Sequence, residues 1–562
     1  MIWRYRISLF LIVCAFLLVI ARLFYWQVVK AEELSGLGRA QYGKSIEILP
    51  IRGEIKASDG FPLATNKISY QVFANPKEIK NNDKEKIINI LPSILEVDTA
   101  SLSAKLNQDL FWVSLKKEVD NDLKEKVKSL NLSGIGIAQG FSRFYPEASM
   151  SAQLIGFVGK NEDGQDKGYF GLEGYYDRQL RGKAGITLQV NDAIGRPIIS
   201  KLDQNSQQID GRSLILNIDR SIQFLAERRL KEGIEEYQAS GGMVIVMEPK
   251  TGNILALASF PSFDPRNYQS FDDKLFRNPI ISNLFEPGST FKSLIMASAL
   301  DAKVVKPETK CPICSKPVKI GEYEIKTWNN EYFKDINMVD TIIHSDNTGM
   351  VYTGQQLGID RTLSYLKDFG IGELTGIDLQ GEVYSELKPR GSWYPIDFAT
   401  LTFGQGITVT PIMLIDAFSA IANKGNRMEP HIVSKIETSD GQDIPILPKV
   451  LSHPISEATA KVMTEILVQA VNKGEAQWVK VKGYRVAGKT GTAQIPIAGH
   501  YDPNKTIASF IGFAPASDPK FSMLVIIDRP TTSIYGAETA APIFFDIAKD
   551  LFAYYKIPPT EN

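Results

Sequence analysis

The most chemically loaded stretch of this 562-residue chain is F-E-P-G-S-T-F-K, Phe285 to Lys292. Pro287-Gly288 breaks whatever precedes it. The apolar run that follows predicts a buried helix over about Ser289 to Leu300, with Ser289 in its first turn. Lys292 is three residues on and shares a helix face with Ser289. The positive end of the helix dipole favours alkoxide character at the serine. A lysine held in an apolar site loses solvation of its ammonium form, so its pKa falls and it can act as a base. Ser289 and Lys292 therefore form a nucleophile and base without histidine, in a chain that has only four histidines. The spacing alone is weak, because S-x-x-K recurs at Ser114/Lys117, Ser364/Lys367, Ser385/Lys388 and Ser517/Lys520. What singles out Ser289 is the Pro-Gly break, the apolar helix and the partners downstream.

The first partner is H-S-D-N-T-G, with Ser345 and Asn347. A Ser-x-Asn turn can offer a hydroxyl to relay a proton and an amide to hold a peptide group. Taken in isolation it reads as a helix cap or Asx turn. The second is Lys489-Thr490-Gly491-Thr492. On an edge strand, a lysine and two hydroxyls can bind a carboxylate, and Gly491 lets substrate backbone approach closely. The same tripeptide at Lys250-Thr251-Gly252 falls in a hairpin turn and carries no such role. The segment G-Y-R-V-A-G-K-T also satisfies the phosphate-loop pattern G-x-x-x-x-G-K-[ST], with Gly483, Gly488, Lys489 and Thr490 in register. Its spacer residues Tyr484, Arg485, Val486 and Ala487 read as strand, and T-G-T-A-Q-I-P-I-A-G cannot open the helix that a phosphate loop needs.

These residues need a scaffold. G-G-M-V-I-V-M-E-P-K-T-G-N-I-L-A-L-A-S-F reads as a hairpin turning at Pro249 to Gly252, and R-V-A-G-K-T-G-T-A-Q, T-I-A-S-F-I-G-F-A-P and F-S-M-L-V-I-I-D-R-P read as further strands. A closing helix is predicted over about Ala541 to Tyr555 and another over about Ser221 to Tyr237. Strands at both ends of the region and helices between them predict an α/β (α+β) sandwich of roughly 300 residues, whose sheet gathers distant sequence. Upstream, about Ala31 to Ser240 is a mixed region. It opens with I-R-G-E-I-K-A-S-D-G-F-P-L-A-T-N, two short strands around Asp59-Gly60. Helical patterns follow in N-N-D-K-E-K-I-I-N-I-L-P-S-I-L and V-D-N-D-L-K-E-K-V-K-S-L, then the polar passage S-K-L-D-Q-N-S-Q-Q-I-D-G-R. It contains no chemical cluster and reads as a spacer or docking module.

The length suggests three or four domains. A net charge of −1 without a basic stripe gives no case for nucleic acid. Ile7 to Val29 has the length and apolarity of one bilayer span. Arg4 and Arg6 precede it, Lys30, Glu32 and Glu33 follow it, and Phe24, Tyr25 and Trp26 form an interfacial belt. The expectation is therefore an uncleaved anchor with Met1 in the cytoplasm and the rest outside; no A-x-A-like site supports a cleaved signal. Arg22, late in the span, can snorkel outward. Cys14 lies in the span. Cys311 and Cys314, as C-P-I-C, supply too few ligands for zinc and read as a local disulfide or two free thiols, with His344 the nearest histidine in sequence.

S-x-x-K, S-x-N and K-T-G occur in that order, with 52 residues between Lys292 and Ser345 and 141 between Asn347 and Lys489. In this the chain resembles the penicillin-recognising serine transferases. It looks more narrowly like a class B penicillin-binding protein, a monofunctional peptidoglycan D,D-transpeptidase. R-G-E-I…D-G from Arg52 to Gly60, F-Y-P-E-A-S-M-S-A-Q-L-I-G-F-V-G, G-L-E-G-Y-Y-D and F-G-Q-G-I-T-V-T-P from Phe403 to Pro411 extend the likeness over nearly the whole chain.

The resemblance implies an antiparallel sheet with helices on both faces, on an elongated mixed N-terminal pedestal with a single transmembrane helix. The boundaries it suggests are a cytoplasmic tail over 1–6, an anchor over 7–29, a pedestal or dimerisation-like domain over 30–238 and a transpeptidase domain over 239–556. It implies that Ser289 attacks the penultimate D-alanine carbonyl of a stem peptide ending D-Ala-D-Ala, that Lys292 deprotonates it, and that Ser345 relays a proton to the leaving amine. Asn347 would hold the peptide amide, and Lys489, Thr490, Gly491 and Thr492 would receive the terminal carboxylate. The N–H groups of Ser289 and Thr492 would form an oxyanion hole. β-Lactams would trap Ser289, no metal or organic cofactor is implied, and a SEDS-type glycosyltransferase in the membrane is the implied partner. R-G-S-W-Y-P-I-D-F-A-T-L-T-F-G-Q-G leans toward the division type, with an elongation type as the alternative. A soluble β-lactamase would not need the N-terminal module. A carboxypeptidase would more often anchor at its C-terminus, where this chain ends in polar I-P-P-T-E-N. A bifunctional enzyme would need a glycosyltransferase motif after the anchor, a sensor further membrane helices, and a silent scaffold need not keep three intact motifs.

Overall fold

A computed structural model describes all residues except 1, 35, 36, 38–42, 111, 148, 149, 163, 192–196, 199–207, 498, 499 and 560–562. Parts of three stretches quoted above, 148–149, 200–207 and 498–499, and the final three residues thus lie outside the described residues. The chain divides into two compact units.

The smaller unit comprises residues 1–52 and 181–211. Its first helix runs over Ile2–Phe24 and continues in wider π-type turns over Tyr25–Val29. This is a 28-residue apolar span, long enough to cross a membrane. The Arg22 guanidinium lies 5.1 Å from the Trp26 ring, tying the late arginine to the aromatic belt. Strand Gly43–Ile48 pairs antiparallel with Gly185–Asn191, which also pairs with Pro197–Ile198.

The larger unit, 53–180 and 212–562, contains two main sheets. The first has seven strands. Six follow the order Asp443–Pro445, Val433–Glu437, Ser213–Leu216, Ile55–Lys56, Pro62–Ala74 and Val113–Val119, and Ile135–Phe144 pairs with Pro62–Ala74 as well. Asp59-Gly60 makes the expected turn, with Gly60 at φ 83°. Two strands come from more than 200 residues downstream, which is why local patterns gave no sign of them.

The second sheet is wholly antiparallel, in the order Ile254–Phe260, Gly241–Met247, Phe521–Asp528, His500–Ala514 and Ala487–Ile497. Alternation divides its side chains between two cores. Ile245, Met247, Leu257, Ile511 and Leu524 face helices Lys292–Asp301, Pro411–Ala422 and Glu457–Lys473. Val244, Val246, Phe510, Val525 and Ile527 face helices Arg220–Glu236 and Ala540–Tyr554. This is the expected α/β (α+β) layering, with helices on both faces of an antiparallel sheet. Pro411–Ala422 is buried at every position and Lys292–Asp301 at its first eight, so neither carries a polar face. Helix Lys292–Asp301 is thereby fixed on all sides behind the site.

Two expectations shift by a few residues. Only Ala487 of the spacer before Gly488 is strand; Gly483 turns at φ 84°, and Tyr484 leaves the sheet to stack on Phe552 at 4.1 Å. Ser289 belongs to a 3₁₀ turn, Gly288–Phe291, and the α-helix itself begins at Lys292. The Thr290 hydroxyl donates to the Pro287 carbonyl at 2.7 Å and holds that tighter turn.

Candidate active site

The Ser289 turn is wedged between two segments that allow no side chain. Gly288 sits at φ 56°, and its N–H donates to the Gly404 carbonyl at 3.0 Å. A Cβ on Gly404, itself at φ 80°, would lie 2.2 Å from the Gly288 oxygen. The F-G-Q-G passage thus braces the Ser289 turn. On the other side, a Cβ on Gly491 would meet Thr290 Cγ2 at 2.8 Å and Ser509 Oγ at 2.4 Å. The missing side chain at Gly491 therefore seats the edge strand against the Ser289 turn.

Lys292 is 0 % exposed. Its Nζ donates to the Ser345 carbonyl at 2.6 Å, to Asn347 Oδ1 at 2.8 Å and to Ser345 Oγ at 3.3 Å; none of these bonds goes to Ser289. Burial, and after it the nearby charge of Lys489, pushes this amine down to about 7, against the opposing pull of Asp346 and Glu475. The Ser345–Asn347 turn is built for this contact. Helix Met338–Ile343 ends, Ser345 adopts φ 54°, and Asp346 caps helix Asn347–Leu357 by accepting from Gly349 N at 2.9 Å. The middle residue is therefore the helix cap, while the outer two serve the lysine. Asn347 Nδ2 also donates to the Lys326 carbonyl at 2.9 Å, and its second amide hydrogen is left for another acceptor.

Lys489, Thr490, Gly491 and Thr492 lie on Ala487–Ile497, the edge strand of the five-stranded sheet. Lys489 is buried and donates to Thr490 Oγ1 at 3.0 Å and to the Thr490 carbonyl at 3.2 Å. Burial lowers its pKa while Glu475 opposes. Thr492 Oγ1 accepts from Gly536 N at 3.0 Å. Ser289, Ser345, Asn347, Thr490 and Thr492 line one cleft of about 440 Å³. Lys292 and Lys489 lie behind its wall.

Sequence reasoning missed several residues of this cleft. Trp328, Trp478 and Tyr535 are 50 %, 63 % and 41 % exposed at its rim, and Trp328 meets Tyr535 edge-on at 5.7 Å. Glu475, which accepts from Thr490 Oγ1 at 2.7 Å, was also unseen. Isolated loop residues carry no periodicity that could have flagged them. The second K-T-G is a turn as expected, with Gly252 at φ 86° and Lys250 paired to Asp518. Cys311 and Cys314 are disulfide-bonded to each other, which excludes them as a zinc pair in this state. Among the described residues no group of three or more metal-ligating side chains gathers.

The model of the penicillin-binding protein transpeptidase domain matches residues 242–549, more than half of the chain. The chain belongs to the penicillin-binding protein transpeptidases. The model of the penicillin-binding protein dimerisation domain matches residues 47–216 of this transpeptidase. It is 33 % identical over 560 residues to stage V sporulation protein D of Bacillus subtilis, covering 98 % of this chain and 85 % of that one. It is 29 % identical over 569 residues to peptidoglycan D,D-transpeptidase FtsI of Escherichia coli, covering 99 % and 92 %. The crystal structure of a peptidoglycan synthetase from Bifidobacterium adolescentis superposes with a TM-score of 0.76 at 26 % identity, covering 92 % of this chain and 98 % of that one.

Proposed function

We propose that this class B penicillin-binding protein cross-links peptidoglycan as a serine D,D-transpeptidase, with Ser289 as nucleophile. The observation that carries the reading is the fully buried Lys292 amine, held near neutrality beside the Ser289 turn and fastened to Ser345 and Asn347. In its neutral form the amine swings from the Ser345–Asn347 turn to take the Ser289 proton as the oxygen attacks the penultimate D-alanine carbonyl. The N–H groups of Ser289 and Thr492 receive the oxyanion. The proton passes through Ser345 to the leaving D-alanine amine, and the C–N bond breaks to give the acyl-enzyme. A stem-peptide amine then attacks the ester, and Ser289 recovers its proton. Asn347 holds the donor peptide, and Lys489 with Thr490 and Thr492 receives the terminal carboxylate.

In this reading β-lactams acylate Ser289 because they carry a strained amide beside a carboxylate. The helix over Ile2–Val29 anchors the chain in the cytoplasmic membrane with its N-terminus inside, and residues from about Lys30 onward work outside. The region over 30–238 acts as a pedestal, and a SEDS-type glycosyltransferase supplies the strands. The division type is favoured by the R-G-S-W-Y-P-I-D-F passage.

The test is labelling of the full chain in detergent with a fluorescent penicillin. Wild type becomes covalently labelled, Ser289→Ala does not, and Lys292→Ala is strongly slowed. Persistent labelling of Ser289→Ala would sink the assignment, and rapid turnover of the penicillin would favour a β-lactamase instead.

A further inference from the structure

The corner of the cleft assigned to the substrate carboxylate already contains a carboxylate. Helix Glu457–Lys473 ends at Gly474, where a Cβ would lie 2.3 Å from the Ala470 oxygen and 2.9 Å from the Ile343 oxygen. Only glycine lets the chain pass this close to the backbone two residues before Ser345, and the next residue, Glu475, lines the cleft. Its Oε2 accepts the Thr490 hydroxyl at 2.7 Å, while Thr490 Oγ1 accepts Lys489 Nζ at 3.0 Å. A hydroxyl has one proton to give. The Thr490 proton is therefore committed to Glu475, and the Lys489 ammonium to Thr490. Thr490 is the only hydrogen-bond partner of Glu475 among the described residues, so one rotation frees it.

We propose that Glu475 is a specificity-determining residue: its side chain stands in for the C-terminal carboxylate of a peptide, and an anionic ligand has to displace it. This deepens the transpeptidase reading and rests on it. Two carboxylates cannot share one hydroxyl proton, and like charges at that separation repel. Glu538 adds a second negative charge to the same cleft, but its carboxylate is engaged by the Ser533 hydroxyl at 2.5 Å. The balancing cations are Lys489 and Lys292, both buried behind the wall. Without the Glu475 charge, the Lys489–Thr490 edge would meet an incoming carboxylate directly. With it, part of that attraction is already used, and selectivity for carboxylate-terminated over neutral ligands is reduced.

The experiment compares two thioester acyl donors, identical except that one ends in a carboxylate and the other in a carboxamide. Acylation of Ser289, with release of the thiol, is followed in the full chain in detergent for wild type, Glu475→Gln and Glu475→Thr. Glu475→Gln keeps the size and the acceptor oxygen but removes the charge. The carboxylate-to-carboxamide ratio of second-order acylation constants should rise about tenfold or more in both variants, the equivalent of about 1.4 kcal/mol. The gain should appear in ligand binding and not in the acylation step. A merely structural role would slow both donors together and leave the ratio unmoved. An unchanged or lower ratio overturns the inference while leaving the transpeptidase reading intact. If wild type reacts with neither donor at Ser289, that reading fails and this inference falls with it.

Discussion

Lys292→Arg separates a base from a mere cation. The amine of wild type sits at about 7, against 10.5 for an ordinary lysine. At pH 7 half of it is then neutral, whereas an ordinary lysine would be neutral in only about 3 molecules in 10,000. Burial thus raises the supply of base by about a thousandfold. An arginine keeps a positive charge and N–H donors for the Ser345 carbonyl and Asn347 Oδ1, but its pKa above about 12 leaves it essentially never neutral at pH 7. Penicillin acylation, followed by stopped-flow fluorescence, should fall by about 10³ or more in Lys292→Arg. In wild type the rate should climb between pH 6 and 8 with a midpoint near 7 and a slope of one proton. Because the site is fully packed, the melting temperature of the variant must be measured alongside. A folded Lys292→Arg within tenfold of wild type, or a wild-type rate flat across that range, would refute the assignment of Lys292 as base.

Gly404→Ala should leave the fold cooperative but slow acylation by at least about tenfold, because the added Cβ would press on the Gly288 oxygen and shift the Ser289 turn; normal acylation kinetics would contradict this. The alkaline limb of the pH profile tests Lys489. Its pKa is lowered by burial, so if its charged form receives the ligand carboxylate as proposed, affinity for anionic ligands should decline as pH rises, with a midpoint below 10.5. Kinetics still undiminished at pH 10.5 would argue against it. Glu173→Ala should destabilise the larger unit by about 3–5 kcal/mol in denaturant unfolding, since Glu173 and Arg143 are 0 % and 5 % exposed, bonded at 2.6 Å, and Arg143 would be left charged and buried. A loss below about 1 kcal/mol would show that the pair is better solvated than the structure implies.

Much of the candidate site was legible because three short motifs occur in a fixed order, and Ser289, Ser345, Asn347, Thr490 and Thr492 from them line one cleft. The Pro-Gly break before an apolar run marked Ser289 among five S-x-x-K matches, and the edge-strand texture separated Lys489-Thr490-Gly491 from its copy at Lys250. The five-stranded sheet was legible from strand-like runs at both ends of one region. The errors came where tertiary packing overrode local pattern. Tyr484 to Val486 alternate like a strand but are drawn off by Phe552 and the turn at Gly483. The packing of Gly491 on Thr290 and Ser509 was likewise not legible, since these are neighbours in space that no local window contains. The seven-stranded sheet joins Ser213–Leu216 to Val433–Glu437 across more than 200 residues of chain. Glu475 was invisible for a further reason: a single glutamate after a helix reads as a solvated end, and only the close pass of Gly474 against Ile343 carries it into the cleft.

The most direct measurement is rapid-quench mass spectrometry of the full chain during reaction with a stem peptide ending D-Ala-D-Ala. A covalent adduct lighter than the peptide by one D-alanine should appear, map to Ser289, and be consumed when an acceptor amine is added. It should be absent from Ser289→Ala. An adduct on any other residue, or D-alanine release that survives Ser289→Ala, would contradict the mechanism.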